Sequence, residues 1–374
     1  MKYYIISGEA SGDLHASNLI KYLKQKDNQM NARAWGGDLM KAQGAQIVRH
    51  YKELAFMGFW EVFMNLKTIL RNLNFCKKDI LDFRPDALIL VDYPGFNMRI
   101  AKFAKSHQIP VYYYISPQIW AWKKNRVYHI KKYVRKLYTI LPFEKAFYAK
   151  YNCDVAYLGH PLLDAISTWK KEQESDHLIW KKSGRPLVAL LPGSRSQELQ
   201  KMLPKMMAVK KQFPQCDFVI AGVGSLGRDF YQSYIKDSNI EVVFNQTYAL
   251  YNEADAALVS SGTATLETAL FNVPQVVCYQ TSWLSYKIAK LLVDVKYISL
   301  VNLIADQEVV KELIQKDLTV ANMVCELSYI LSEEGSTIMK QNYKDLKDLL
   351  GGVGASERIS SAIVRDLKSI VKTL

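Results

Sequence analysis

Residues 2–13 read KYYIISGEASGD. A β-prone run, Lys2 to Ile6, breaks into a loop of Gly and Ser and then into a helix-like stretch, the junction at which open α/β sheets hold ligands. The same grammar recurs along the chain. Apolar runs at 87–92 (ALILVD), 110–115 (PVYYYI) and 136–141 (KLYTIL) alternate with helix-like segments. Their unbroken apolar character suits parallel strands covered by helices on both faces. After a charged stretch the alternation restarts at 187–191, 217–222, 240–244, 255–260 and 274–279, which puts a hinge within 160–185. The expected fold is α/β: two Rossmann-like lobes, 1–165 and 185–350, with a helical tail at 351–374 behind the break Gly351-Gly352-Val353-Gly354. From about Gln307 onward the chain reads as mostly helical.

Composition agrees with a folded two-domain chain. The 374 residues exceed one ordinary core at roughly 100 to 200 residues per domain. Apolar residues make up 49% and charged residues 23%, which excludes a disordered chain. Five scattered cysteines, without C-x-x-C pairs, argue against a disulfide framework or a zinc site. The opening residues lack the pattern of a secretory leader, and no apolar run reaches roughly 18 residues, so the expectation is a cytoplasmic protein. Net charge is +13, and no Asp or Glu falls from Tyr93 through Phe143 although ten Lys or Arg do. That field favours an anionic partner.

Two loops of the second half suit phosphate. LLPGSR sets Gly193, Ser194 and Arg195 just after a strand, and LVSSGTATLE sets Ser261, Gly262 and Thr263 between a strand and a helix that carries Glu267. Free N–H groups at a helix start attract anions, and Arg195 could add a bidentate contact to a diphosphate. Glu267 could accept from ribose hydroxyls. The other reading of these Ser and Thr residues is plain helix capping. Neither loop matches a P-loop, and AGVGSLG has the wrong spacing for G-x-G-x-x-G, so NTP hydrolysis and dinucleotide redox chemistry lose support.

In the first half VDYPGFN places Asp92 at the end of the most apolar strand. A carboxylate there is either a general base for a hydroxyl nucleophile or a cap for the helix starting near Phe96. The opening loop fails as a dinucleotide loop because Glu9 would repel phosphate. Glu9, with Ser11, Gly12 and Asp13, fits the gripping of sugar hydroxyls better, and Asp13 could equally be an N-cap. The stretch at 56–78 carries Phe56, Phe59, Trp60, Phe63, Leu66 and Leu70 at helical spacing among cations, which suits either a core helix or one dipping into a lipid interface. The basic, aromatic run SPQIWAWKKNRVYHIKKYVRK is either a solvated helix face or an anion-binding one. The histidines show no ligand spacing, so neither metal nor cofactor is expected.

SGEASGD, VDYPGFN, SPQIWAW, LPFEKAFY, LLPGSR, SSGTATLE and VNLIADQEVVKEL, in this order over nearly the full length, resemble the lipid-A-disaccharide synthase family, bacterial inverting glycosyltransferases of GT-B architecture. The resemblance implies two Rossmann-like lobes with a cleft between them. It also implies transfer of 2,3-diacylglucosamine from its UDP derivative to the 6-hydroxyl of 2,3-diacylglucosamine 1-phosphate, forming a β-1',6 disaccharide 1-phosphate and UDP. Carried over by motif, Asp92 is the base, Arg195 the diphosphate contact, and Ser261 to Thr263 with Glu267 the nucleotide grip. Asn302 and Gln307 approach the donor. Some relatives carry Asp at the position of Gly95, so here Asp92 holds any base role alone. The family is peripheral to the cytoplasmic face of the inner membrane, an anionic surface, and its members dimerise by exchanging C-terminal segments; no nucleic acid is implied. The competing readings are a GT-B enzyme acting on unacylated UDP-N-acetylglucosamine and a nonenzymatic protein binding anions or nucleic acid.

Overall fold

The computed structural model describes residues 1–53, 66–172, 184–236, 240–282, 286–287, 290 and 295–371. Two compact units emerge, one of Met1–Trp169 with Leu350–Leu374 and one of Lys170–Leu349. Each is built on a single parallel sheet.

In the first unit the strands are β1 (Lys2–Ser7), β2 (Asn31–Gly36), β3 (Gln46–His50), β4 (Ala87–Val91), β5 (Val111–Tyr114), β6 (Lys136–Thr139) and β7 (Ala156–Tyr157). Their order is β3-β2-β1-β4-β5-β6-β7, all parallel. The chain reverses its direction of winding between β1 and β4, and ligands of doubly wound sheets bind at that switch point. Period-two side chains explain why both faces are dry. Tyr4 and Ile6 pack with Leu88, Leu90 and Tyr113 on one face, while Tyr3 and Ile5 pack with Ile89, Val91 and Tyr112 on the other.

The C-terminal helix Ala355–Val371 covers part of the second face. Ile359, Ile363, Val364 and Leu367 share a core with Leu19 and Leu23 of the helix Ala10–Lys26. Polar contacts fix its register: Asp366 accepts from the Tyr112 hydroxyl at 2.6 Å and from Arg135, and Ser360 Oγ donates to the Leu19 carbonyl at 3.1 Å. Asp164 accepts from the Gly354 and Ser356 N–H groups at 2.6 and 2.7 Å, supplying the cap that the helix lacks in its own sequence. The tail is therefore structural in the first unit. Arg135, in the basic run, is engaged with Asp366.

The second unit contains β8 (Leu187–Leu191), β9 (Asp217–Gly222), β10 (Glu241–Phe244), β11 (Ala256–Ser260), β12 (Gln275–Tyr279) and β13 (Lys311–Ile314), in the order β10-β9-β8-β11-β12-β13. Again all pairs are parallel, with the switch point between β8 and β11. β13 is the one strand within the described part of the mostly helical region expected after Gln307. Its sequence, KELI, is too short and charged to declare a strand. Pairing with β12 rather than local propensity makes it one.

Candidate functional site

Both pairs of loops singled out from the sequence lie at switch points, one pair in each unit. In the first unit, Asp92 and Tyr93 follow β4 with φ of 47° and 49°, left-handed values that side chains other than glycine adopt at a cost of about 1 to 3 kcal/mol each. The surroundings hold this turn. The Asp92 carbonyl accepts from Asn97 Nδ2 and the Tyr113 hydroxyl, each at 2.7 Å, and buried Asn97 also reaches the carbonyls of Val91 and Ile6 at 3.3 and 3.4 Å. One amide thus ties the ends of β1 and β4 to the turn. Pro94 then starts the next helix, whose N-cap is Tyr93 and which has no side-chain cap. Asp92 is not spent on capping it.

The Asp92 carboxyl is pushed up to about 6, first by burial and next by the nearby Glu9 charge, with the Tyr93 N–H partly offsetting both. A carboxylate poised near neutral pH at a sheet's ligand-binding edge has the properties of a general base. Glu9 sits at the N-cap position of the helix Ala10–Lys26 without capping it through its side chain. Glu9 and Asp92 are therefore brought together. Ser11 is exposed beside them, whereas Gly12 is buried under Ser7. Of the two readings of Asp13 the structure shows a cap, though of another helix: its buried carboxylate accepts from the N–H groups of Gly37, Leu39 and Met40 at 2.7 to 3.2 Å. It caps the short helix after β2 and serves structure rather than sugar.

Gly8 has a purpose that spacing alone did not reveal. A Cβ there would lie 2.4 Å from Cγ of Tyr93, so the Tyr93 ring can cover the loop only if residue 8 has no side chain. Gly8→Ala is expected to push the Tyr93 ring away and lower kcat by at least about tenfold, because an ångström-scale misplacement of Asp92 is costly. Steady-state kinetics beside a thermal melt checks this. At Gly95, by contrast, a Cβ would meet nothing within 4 Å, so the turn has room for a side chain there.

The segments SPQIWAW and LPFEKAFY meet through a hydrogen-bond clamp that spacing did not signal. Ser116 Oγ donates to Glu144 at 2.6 Å, and the other Glu144 oxygen accepts from the Leu141 and Ile140 N–H groups at 2.9 and 3.2 Å. Burial pushes Glu144 up to about 7. This clamp joins the loops after β5 and β6 next to Asp92's strand. Beyond it Trp122 stands 45% exposed with Lys123 and Arg126 over its ring, an aromatic and cationic surface.

Of the interface stretch, Phe56, Phe59, Trp60 and Phe63 lie outside the described residues, and Leu66 is described only as the first residue of the helix Leu66–Phe83. That helix buries Leu73, Cys76 and Ile80 against the sheet while Leu70, Phe75 and Leu81 remain largely exposed. Among the described residues no helix is long and apolar enough to cross a membrane.

In the second unit, Gly193 follows β8 with φ of 119°, in the left-handed region, and is succeeded by exposed Ser194 and Arg195, the N-cap residue of the helix Ser196–Lys210. Next door, after β11, Ser261 Oγ donates to the Ile298 carbonyl at 3.0 Å, and Gly262 and Thr263 are exposed at the start of the helix Thr263–Leu270. The two loops adjoin, since a Cβ on Gly193 would lie 3.4 Å from Ser260 Oγ. One turn into the second helix Glu267 accepts from the Tyr248 hydroxyl at 3.1 Å, and burial raises its carboxyl above the ordinary range. Tyr248 had no signal in the sequence.

Asn302 and Gln307 separate. Asn302 is buried, donating to the Val310 carbonyl and Glu312 and accepting from the Val309 and Val310 N–H groups, all within 3.0 Å. With its amide so engaged, it anchors β13 and has nothing left for a donor sugar. Gln307 is exposed.

Two parallel-sheet lobes of Rossmann type, each with its loops at the switch point, define the GT-B architecture, and comparison with known proteins agrees. The solved UDP-GlcNAc 2-epimerase from Neisseria meningitidis bound to UDP-GlcNAc matches with a TM-score of 0.66 over 98% of this chain and 100% of that one, at 14% identity, a likeness of fold. The family model described as lipid-A-disaccharide synthetase matches residues 3–363. Curated lipid-A-disaccharide synthases of Syntrophus aciditrophicus and Geobacter metallireducens are 36% and 35% identical, over 95% and 97% of this chain and 94% and 96% of theirs. The chain belongs to the lipid-A-disaccharide synthetase family, and it is a glycosyltransferase.

Proposed function

We propose that this enzyme transfers 2,3-diacylglucosamine from UDP-2,3-diacylglucosamine to the 6-hydroxyl of 2,3-diacylglucosamine 1-phosphate with inversion. The observation that carries the reading within the family is the opposite chemistry of the two switch points: carboxylates, one raised to about 6, in the first unit, and helix starts with Arg195 in the second. Asp92 takes the proton of the acceptor hydroxyl as its oxygen bonds to the anomeric carbon from the face opposite the nucleotide. The bond from that carbon to the diphosphate oxygen breaks, and UDP leaves with the electron pair. Its charge is met by the N–H groups at Gly193 to Arg195 and at Thr263 and by the Arg195 guanidinium, an arrangement that stabilises a developing anion. Glu267, steadied by Tyr248, accepts from the ribose hydroxyls, with Ser261 and Gly262 allowing close approach. Gln307 approaches the donor sugar.

Glu9, with Ser11 beside it, grips acceptor hydroxyls and keeps the Asp92 carboxyl high. The enzyme works at the cytoplasmic face of the inner membrane, where Leu70 and the preceding aromatic stretch meet acyl chains and Lys123 and Arg126 meet anionic headgroups. UDP release should depend on the acylated acceptor and fail with unacylated UDP-N-acetylglucosamine. Turnover of the unacylated sugar in a coupled UDP assay would assign a different GT-B activity.

A further inference from the structure

One side chain at the donor loop belongs to none of the roles above. Glu198, in the first turn of the helix Ser196–Lys210, folds back over the loop that precedes it. Its Oε2 accepts from the Ser194 N–H at 3.3 Å, and the same oxygen would lie 2.7 Å from a Cβ on Gly193. Its Oε1 lies 3.8 Å from Arg195 Nη1. Tyr279, at the end of β12, feels both charges, Glu198 raising its hydroxyl and Arg195 lowering it, beneath the larger effect of burial. The carboxylate therefore rests against the backbone donor and the guanidinium assigned to the diphosphate, and the bare backbone of Gly193 makes room for it.

We propose that Glu198 is an internal counter-anion of the donor loop: it occupies the diphosphate position when no nucleotide is bound, is displaced by a nucleoside diphosphate, and returns to help expel UDP. The inference rests on the reading of this loop as the diphosphate grip. Two consequences follow from electrostatics. A resident negative charge that must be moved or tolerated lowers affinity for every incoming phosphate, so a small anion cannot hold the site while a diphosphate carried by a uridine can. A side chain that keeps the loop in its liganded shape also spares the ligand the cost of ordering it. Glu198 is thus a positioning and selectivity residue, not a catalytic one.

Isothermal titration of the full chain with UDP, uridine and inorganic phosphate decides the matter, using Glu198→Gln and Glu198→Ala. Gln keeps an oxygen for the Ser194 N–H and removes the charge; Ala removes both, and a thermal melt accompanies each. In Glu198→Gln the expected result is UDP binding about tenfold tighter, phosphate binding also tighter and uridine unchanged. Glu198→Ala should tighten phosphate too, by less for UDP because the loop is no longer held. Loss of a merely structural side chain would weaken all three ligands. Unchanged or weaker UDP and phosphate binding in the folded variants overturns the proposal. If wild type binds UDP no better than uridine, the diphosphate reading of the loop fails instead, and the phosphate titrations still report whether Glu198 guards an anion site.

Discussion

Replacing Asp92 with Asn should lower turnover by about 100- to 10,000-fold while leaving UDP affinity unchanged, the range expected when a positioned base is removed and binding is not. The Asn97 and Tyr113 bonds go to the Asp92 carbonyl, so the left-handed turn survives the substitution. pH adds a second signature. Because the carboxyl is raised to about 6 and must be ionised to accept a proton, wild-type kcat/KM should fall tenfold per unit as pH drops below about 6, and Asp92→Asn should lack that limb. Stability moves the other way. A carboxyl whose folded value lies above its unfolded value binds more protons in the native state, so the native state loses stability as pH rises from about 4 to 6 and bears the full cost above that. Asp92→Asn should therefore melt higher than wild type at pH 7.5 and match it near pH 4. An inactive variant that is more stable marks a strained functional carboxylate rather than a structural one.

Arg195→Ala is expected to lower kcat by about 100- to 1,000-fold and to weaken UDP binding, since its charge is met most strongly when the diphosphate departs. Lys should restore only part of the loss, because an ammonium cannot make the paired contacts of a guanidinium. Arg195 is 63% exposed and its pair with Glu198 is long, so the melting temperature should hardly move. Titration calorimetry, steady-state kinetics and a melt on the same preparation separate these effects. Full restoration of kcat by Lys would show that charge alone suffices and would remove the bidentate role.

The strands that carry the site were legible because they are buried on both faces, and burial on both faces writes itself as uninterrupted apolar sequence. β1, β4, β8 and β11 all show it. Two other strands, the inner strand β2 and the edge strand β13, did not show it. β2 reads NARAWG and β13 reads KELI, and each becomes a strand through its neighbour rather than through its own residues. Loop chemistry was legible in type and less so in assignment. Asp92, Arg195 and Glu267 stand where a strand end or helix start puts them, but Asp13 and Asn302 are polar residues in the same motifs whose hydrogen bonds run to the backbone of other segments. Spacing cannot distinguish a polar side chain aimed at a ligand from one closing a loop. Glu198 stood in plain sight three residues after Arg195, yet its fold back over the loop shows only in its bond to the Ser194 N–H and its place over the bare Gly193.

The measurement that tests the central proposal most directly is the structure of the product. Enzyme, UDP-2,3-diacylglucosamine and 2,3-diacylglucosamine 1-phosphate are incubated in detergent, and the lipid product is isolated for mass spectrometry and two-dimensional NMR. The expected product is a disaccharide 1-phosphate with a β anomeric proton on the transferred sugar, coupled through the bond to carbon 6 of the acceptor. An α linkage, a bond to another hydroxyl, or an epimerised monosaccharide in place of the disaccharide would contradict it.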